Sequence, residues 1–350
     1  MKGMNVNMNK VYFPSARLIV KDYCGDINKL RKEIVYGEYS CIDTVVPLIR
    51  ARGTIVKRNE QDGKIEIIGW QRDITRMRKL DVSLSFIVYI TVNSEGIIEK
   101  ASIDDSFNGG KGILCSKSYL ESKLKSEFEG VLFDRKLASK LRLDKFKCFH
   151  IYEVMSSIYS SYLMFKDQNS ENIIFEEDVI DVYAENGNLY LTGIQRFSGK
   201  EDTKYTIVLY DVFNNVTFDK EGYMNLKNQI SAQFYINDEL ICEDELYQKP
   251  NDYIFIRVQK FLVICVDKLK AQLFPDFKEK MMNTNLVPGA FIGVIMQAIG
   301  IRTFSNNFNY IQYIMTAMQR PRKVPGCIGA ILSEEEAEKY FDGFDLNNLT

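Results

Sequence analysis

The sequence predicts an α+β protein with two β-rich units and a mainly α-helical C-terminal portion. Three observations carry this: extended patterns dominate both halves of the chain, Asn186-Gly187 sits between two of them, and apolar residues take up helical spacing from Ile254 onward.

In order, Val11–Val20 reads as a strand, Ile27–Tyr36 as a short helix and Thr44–Lys57 as one or two strands rich in β-branched residues. Lys64–Arg72 and Val82–Val92 are further strands, Asn93-Ser94-Glu95-Gly96 is turn-like, and Ile97–Ile103 resumes the extended pattern. Leu120, Leu124, Phe128 and Leu132 recur every four residues and predict a helix over Ser118–Leu132. Met155, Ile158, Tyr162 and Phe165 do the same for Ile151–Phe165.

The second half opens with strands at Asp178–Ala184 and Leu189–Phe197 around Asn186-Gly187, a pair suited to a type I′ turn because both central positions need positive φ. Tyr205–Phe213 and Ser231–Ile236 are further strands, followed by helices from Ile254, at Phe308–Met318 and from Ser333. Polar punctuation at 166–172 and the basic connector Arg320–Gly326 divide the chain. The expected organisation is a net-basic domain over 1–166, a second β-rich unit over 173–250 and a helical portion over 251–350.

The most apolar run, VPGAFIGVIMQAIGI at 287–301, offers about 12 residues from Ala290 to Ile301 before Arg302 where a bilayer needs about 20, so it reads as a buried helix and not a membrane span. The seven cysteines are odd in number, scattered and without a C-x-x-C, and the first residues lack a signal-peptide pattern. Both point to buried thiols in a reducing, cytoplasmic setting. Richness in Asn, Lys, Ile, Tyr and Phe suggests an A/T-rich genome, such as that of a bacterium, phage or other mobile element.

Net charge is only -2, yet residues 1–150 hold 27 Lys+Arg against 19 Asp+Glu, and residues 151–350 hold 18 against 28. A chain polarised in this way suits association of its basic half with an acidic half, in a second copy or a partner subunit. The halves also resemble each other. TIVKRNEQDGKIEIIGWQR at 54–72 aligns with DVIDVYAENGNLYLTGIQR at 178–196, and ITVNSEG at 90–96 with VTFDKEG at 216–222. The alignment sets Gly69 beside Gly193 and Arg72 beside Arg196, and suggests duplication of one supersecondary unit.

Catalytic motifs are wanting. The lone His150 reads as a packed histidine, Asn108–Gly112 has the wrong spacing for a phosphate loop, and no dinucleotide fingerprint follows a strand. Glu176, Glu177, Asp178 and Asp181 are a carboxylate cluster of the kind a magnesium-dependent nuclease uses, but alternation divides them between two faces and the following strand lacks the lysine such an enzyme requires. No catalytic residue, metal site or cofactor is assigned. Nucleic-acid backbone binding has a better basis in Arg50, Arg52, Lys57, Arg58, Arg72, Arg76, Arg78 and Lys79, with Trp70 among them as a stacking platform. The sequence therefore favours a non-enzymatic assembly component, with a nucleic-acid-binding protein as the alternative and a nuclease after it.

Overall fold

The computed structural model describes residues 48–77, 80–105, 117–134, 149–167, 173–218, 224–247 and 254–273. The elements expected at Val11–Val20, Ile27–Tyr36 and Phe308–Met318, the loop at 108–112, the apolar run at 287–301 and the helix from Ser333 lie outside them. So do Arg78, Lys79 and the connector at 320–326.

Among the described residues, nine strands make one antiparallel sheet in the order β11-β10-β7-β6-β5-β1-β2-β3-β4. The N-terminal part is a meander of β1 (Leu48–Arg58), β2 (Ile65–Met77), β3 (Leu80–Val92) and β4 (Ile98–Ile103). The C-terminal part runs outward through β5 (Ile173–Glu185), β6 (Asn188–Phe197), β7 (Thr203–Leu209), β10 (Ile230–Ile236) and β11 (Glu239–Leu246). Strands β1 and β5 pair antiparallel from Leu48↔Val182 to Lys57↔Ile173, so the two β-rich stretches join into one continuous sheet. Outside it, β8 (Val216–Phe218) and β9 (Met224–Leu226) form a small ribbon.

Alternation decides which side chains face the helices. On β1, Arg50, Arg52, Thr54 and Val56 point one way, and Ala51, Gly53 and Ile55 the other. The first face is covered by α1 (Lys117–Phe128) over β4, α2 (Phe149–Asp167) over β1, β2 and β5, and α4 (Ile254–Leu273) over β9 to β11. Helix α1 buries Leu120, Leu124 and Phe128, as the four-residue spacing predicts, but it stops at Phe128: Gly130 takes φ 78°, and Leu132, the fourth member of the expected face, lies outside the helix and is 48% exposed. Helix α4 buries Val258, Phe261, Leu262, Cys265, Val266 and Leu269, a stripe at intervals of three and four. The opposite face is buried too, around Trp70, Ile87, Val179 and Val208.

Two strand readings change. The strand expected at Tyr205–Phe213 ends at Leu209, where Asp211 takes φ 53° and turns the chain into the short α3 (Val212–Asn215). The acidic stretch Asp238–Leu246 contains β11, which the sequence reading left unassigned: Asn237 and Asp238, at φ 47° and 69°, form a tight turn from β10. Glutamates are compatible with a strand at the margin of a sheet, where outward side chains meet water. At the predicted hairpin, Asn186 and Gly187 adopt φ 51° and 82°, as a type I′ turn demands. The helical character expected from Ile254 is present in α4; the rest of the predicted helical portion lies beyond the described residues. None of the described helices is long and apolar enough to cross a membrane.

Candidate functional site

Among the described residues, buried charge concentrates where β1 meets β5, beneath α2. Register sets Gln71, Arg52, Asp178 and Gln195 side by side on β2, β1, β5 and β6, all facing the helix. Asp178 Oδ2 accepts from Arg52 Nε at 3.2 Å and from a terminal guanidinium nitrogen at 3.0 Å, and its Oδ1 accepts from the Tyr205 hydroxyl at 2.6 Å. Burial alone would disfavour a charged Arg52, but Asp178, with Glu153 and Glu176 farther off, outweighs it and raises the guanidinium's pKa. The Tyr205 hydroxyl is pushed well above its ordinary value, first by burial and then by the neighbouring Asp178.

Helix α2 runs along β1 and closes the cluster from above. Glu153 receives Arg50 at 3.0 and 3.1 Å on its two oxygens and the Gln71 amide at 3.3 Å. Eight residues on, Ser161 bonds Thr54 and donates to Glu176 at 3.2 Å. Eight helical residues rise about 12 Å and four strand residues about 13 Å, so Glu153 and Ser161 keep step with Arg50 and Thr54. Close approach of α2 depends on Gly69, where an added Cβ would lie 2.5 Å from Ile158.

Glu176 is held by Ser161 and by the Gln195 amide at 2.9 Å. Burial raises its pKa against the pull of Arg52, with Asp178 adding like charge. The folded protein therefore retains this proton to higher pH than the unfolded chain does. The contribution of Glu176 to stability is largest below the unfolded value of about 4.3 and declines as pH rises through the raised folded value. Urea midpoints measured upward from about pH 4 should show this decline, and Glu176→Gln should flatten it while keeping the hydrogen bonds; an unchanged slope would count against the assignment.

The residues expected to bind nucleic acid are scattered by this geometry. Arg50 and Arg52 are buried in ion pairs, Trp70 is a core residue and Arg72 is buried on the opposite face. Lys57 and Arg58 are exposed at the end of β1, with the Arg58 guanidinium 5.4 Å from the Phe165 ring centre. Arg76 lies on β2, and Arg78 and Lys79 fall outside the described residues. The basic run thus does not form one surface stripe among the described residues, because period-two alternation sends neighbours to opposite faces and side chains on both faces are buried.

The carboxylates divide as alternation requires: Glu176 and Asp178 face α2, Glu177 and Asp181 the other side. Among the described residues no group of three or more His, Cys, Asp or Glu is arranged to hold a metal ion. His150 is buried in the first turn of α2.

Sequence reasoning missed Glu153, Thr54, Ser161 and Tyr205 as members of the cluster. A signal was present: LIRARGTIV sets two arginines at alternate positions of an apolar strand, and EEDVIDV offers acids at the same spacing. Charges on one face of a strand imply partners on that face. The two Gly-x-Gln-Arg motifs flank the cluster evenly, with Gln71 beside Arg52, Gln195 beside Asp178, Gly69 opposite Thr54 and Gly193 opposite Ile180. Both glycines are close-approach positions, an added Cβ at Gly193 lying 2.0 Å from the Tyr205 ring. The alignment slips by two residues on the preceding strand, since Thr54 pairs with Gly69 but Asp178 pairs with Gln195. The second aligned block falls on unlike elements, the end of β3 and the ribbon strand β8.

Fold and site together define a predominantly antiparallel β-sheet protein with a charged, helix-covered seam. The chain matches no protein-family model, and comparison with curated proteins and with solved structures finds no match.

Proposed function

We propose that the protein works without catalysis, as a component that assembles with itself or with partner subunits through surfaces of opposite charge. One observation supports this above the rest: the two margins of the sheet are built differently. At β4 the outer side is engaged by the segment after α1, through Ile98 N–H to Val131 C=O, Gly130 N–H to Ile98 C=O, and Ala101 N–H to the Glu129 carboxylate. At β11, pairing among the described residues is with β10 on one side only, and Glu239, Glu243, Asp244 and Glu245 are exposed. Leu240 near the start of the strand and Tyr247 just past its end, 46% and 44% exposed, are large apolar groups. Such an edge repels another acidic edge and accepts a basic extended segment, which adds main-chain hydrogen bonds to charge attraction. The excess of Lys and Arg in residues 1–150 offers that chemistry in a second copy. Even placement of the Gly-x-Gln-Arg motifs about the seam is what remains in support of one duplicated unit, since the aligned register slips by two residues and the second aligned block falls on unlike elements.

Light scattering tests the proposal. The native mass should exceed that of a monomer at low salt and fall as salt shortens the Debye length from about 10 Å at 0.1 M to about 3 Å at 1 M. Combining Glu243→Gln, Asp244→Asn and Glu245→Gln should leave a monomer at low salt without altering the folded spectrum. A monomer at every salt concentration, from a chain purified with no companion, would overturn the proposal.

A further inference from the structure

Strand β11 and helix α4 bring two thiols together. Cys242 pairs with Phe234, whose side chain lies in the helix-covered core, and Cys265 stands in the inward stripe of α4 between Leu262 and Leu269. Strand β11 packs on α4, and the two thiols lie within hydrogen-bonding reach: Cys242 is half-buried against the core, while Cys265 is buried within it. We propose that Cys242 is a thiol-modification site with Cys265 as its resolving partner, the pair closing into a reversible disulfide that ties β11 to α4.

The environment distinguishes their roles. The hydrogen bond from Cys265 stabilises the Cys242 thiolate, and Lys268 assists against burial and Asp244, so the Cys242 pKa falls to about 7. Burial keeps Cys265 protonated. The half-exposed thiolate is the group a small oxidant reaches, and the protected thiol is positioned to displace what is added.

With a low-molecular-weight disulfide as oxidant, Cys242 attacks one of its sulfurs, an S–S bond forms to Cys242, and one small thiolate leaves. Cys265 then attacks the Cys242 sulfur, and its proton passes to the second small thiolate as that leaves. Two protein thiols are oxidised by two electrons and one small disulfide is reduced to two thiols. This inference is independent of the assembly reading, since it concerns the join between a strand and its own covering helix.

The test uses the full chain, folded, with oxidised glutathione as the probe. Intact mass and peptide mapping without reductant should give a Cys242–Cys265 link and no retained glutathione on either residue. Cys265→Ala should hold glutathione on Cys242, and Cys242→Ala should leave Cys265 unmodified until the chain is unfolded. Glutathione persisting on Cys242 in the unsubstituted protein, linkage of Cys242 to another cysteine, or an unreactive Cys242 in the folded state would each overturn the proposal. The unsubstituted chain alone decides these outcomes, so the test survives failure of a variant to fold.

Discussion

Replacing Arg50 by methionine is expected to lower the free energy of unfolding by about 3–5 kcal/mol, the usual consequence of leaving one member of a buried ion pair alone. Arg50 and Glu153 are each 1% exposed and meet through both carboxylate oxygens. Without the guanidinium, Glu153 keeps the Gln71 amide at 3.3 Å but loses the countercharge bonded to it. The double variant Arg50→Met with Glu153→Leu should recover a large part of that loss, because neither charge then has to be desolvated. Urea denaturation of the two single variants and the double variant checks this. A double variant no more stable than the worse single one would mean that the pair is not coupled as described.

The second large effect is expected at Gly53, on the other face of β1. A Cβ there would lie 2.2 Å from the Trp70 ring and 2.7 Å from the backbone carbonyl oxygen of Glu176. The tryptophan is enclosed and the carbonyl belongs to the neighbouring strand, so neither yields easily. Gly53→Ala should cost about 1–3 kcal/mol or more, with altered tryptophan fluorescence as the ring is displaced. Pairing it with Trp70→Leu should recover only part of the loss, since the contact with the Glu176 carbonyl remains. Stability of Gly53→Ala equal to that of the parent would show that the strand relaxes and that close packing of Trp70 is not what holds glycine there.

These expectations concern a seam that only part of the sequence announced. Period-two patterning located β1, β3, β4 and β6 to within a few residues and fell five short at the end of β2 and at the start of β5, and spacing of apolar residues located α2 and all but the end of α1, because each signal arises within one element. The hairpin at Asn186-Gly187 was legible for the same reason, a local requirement for positive φ. By contrast, β11 was obscured by its acids, which reflect a position at the margin of the sheet and not the backbone's own preference.

What the sequence alone determined, then, is the inventory: strands, helices, one sharply specified turn, and two arginines placed oddly within an apolar strand. Tertiary structure decided what those arginines do. Read along the chain, Arg50, Arg52 and Arg72 belong to a basic run with Trp70; folded, Arg50 and Arg52 meet acids about 100 or more residues away while Arg72 lies on the opposite face. The physical reason is that a charge near its neighbours in sequence is solvated unless long-range pairing removes water. Which strands adjoin, and which helix lies over them, is settled by the packing of the whole sheet.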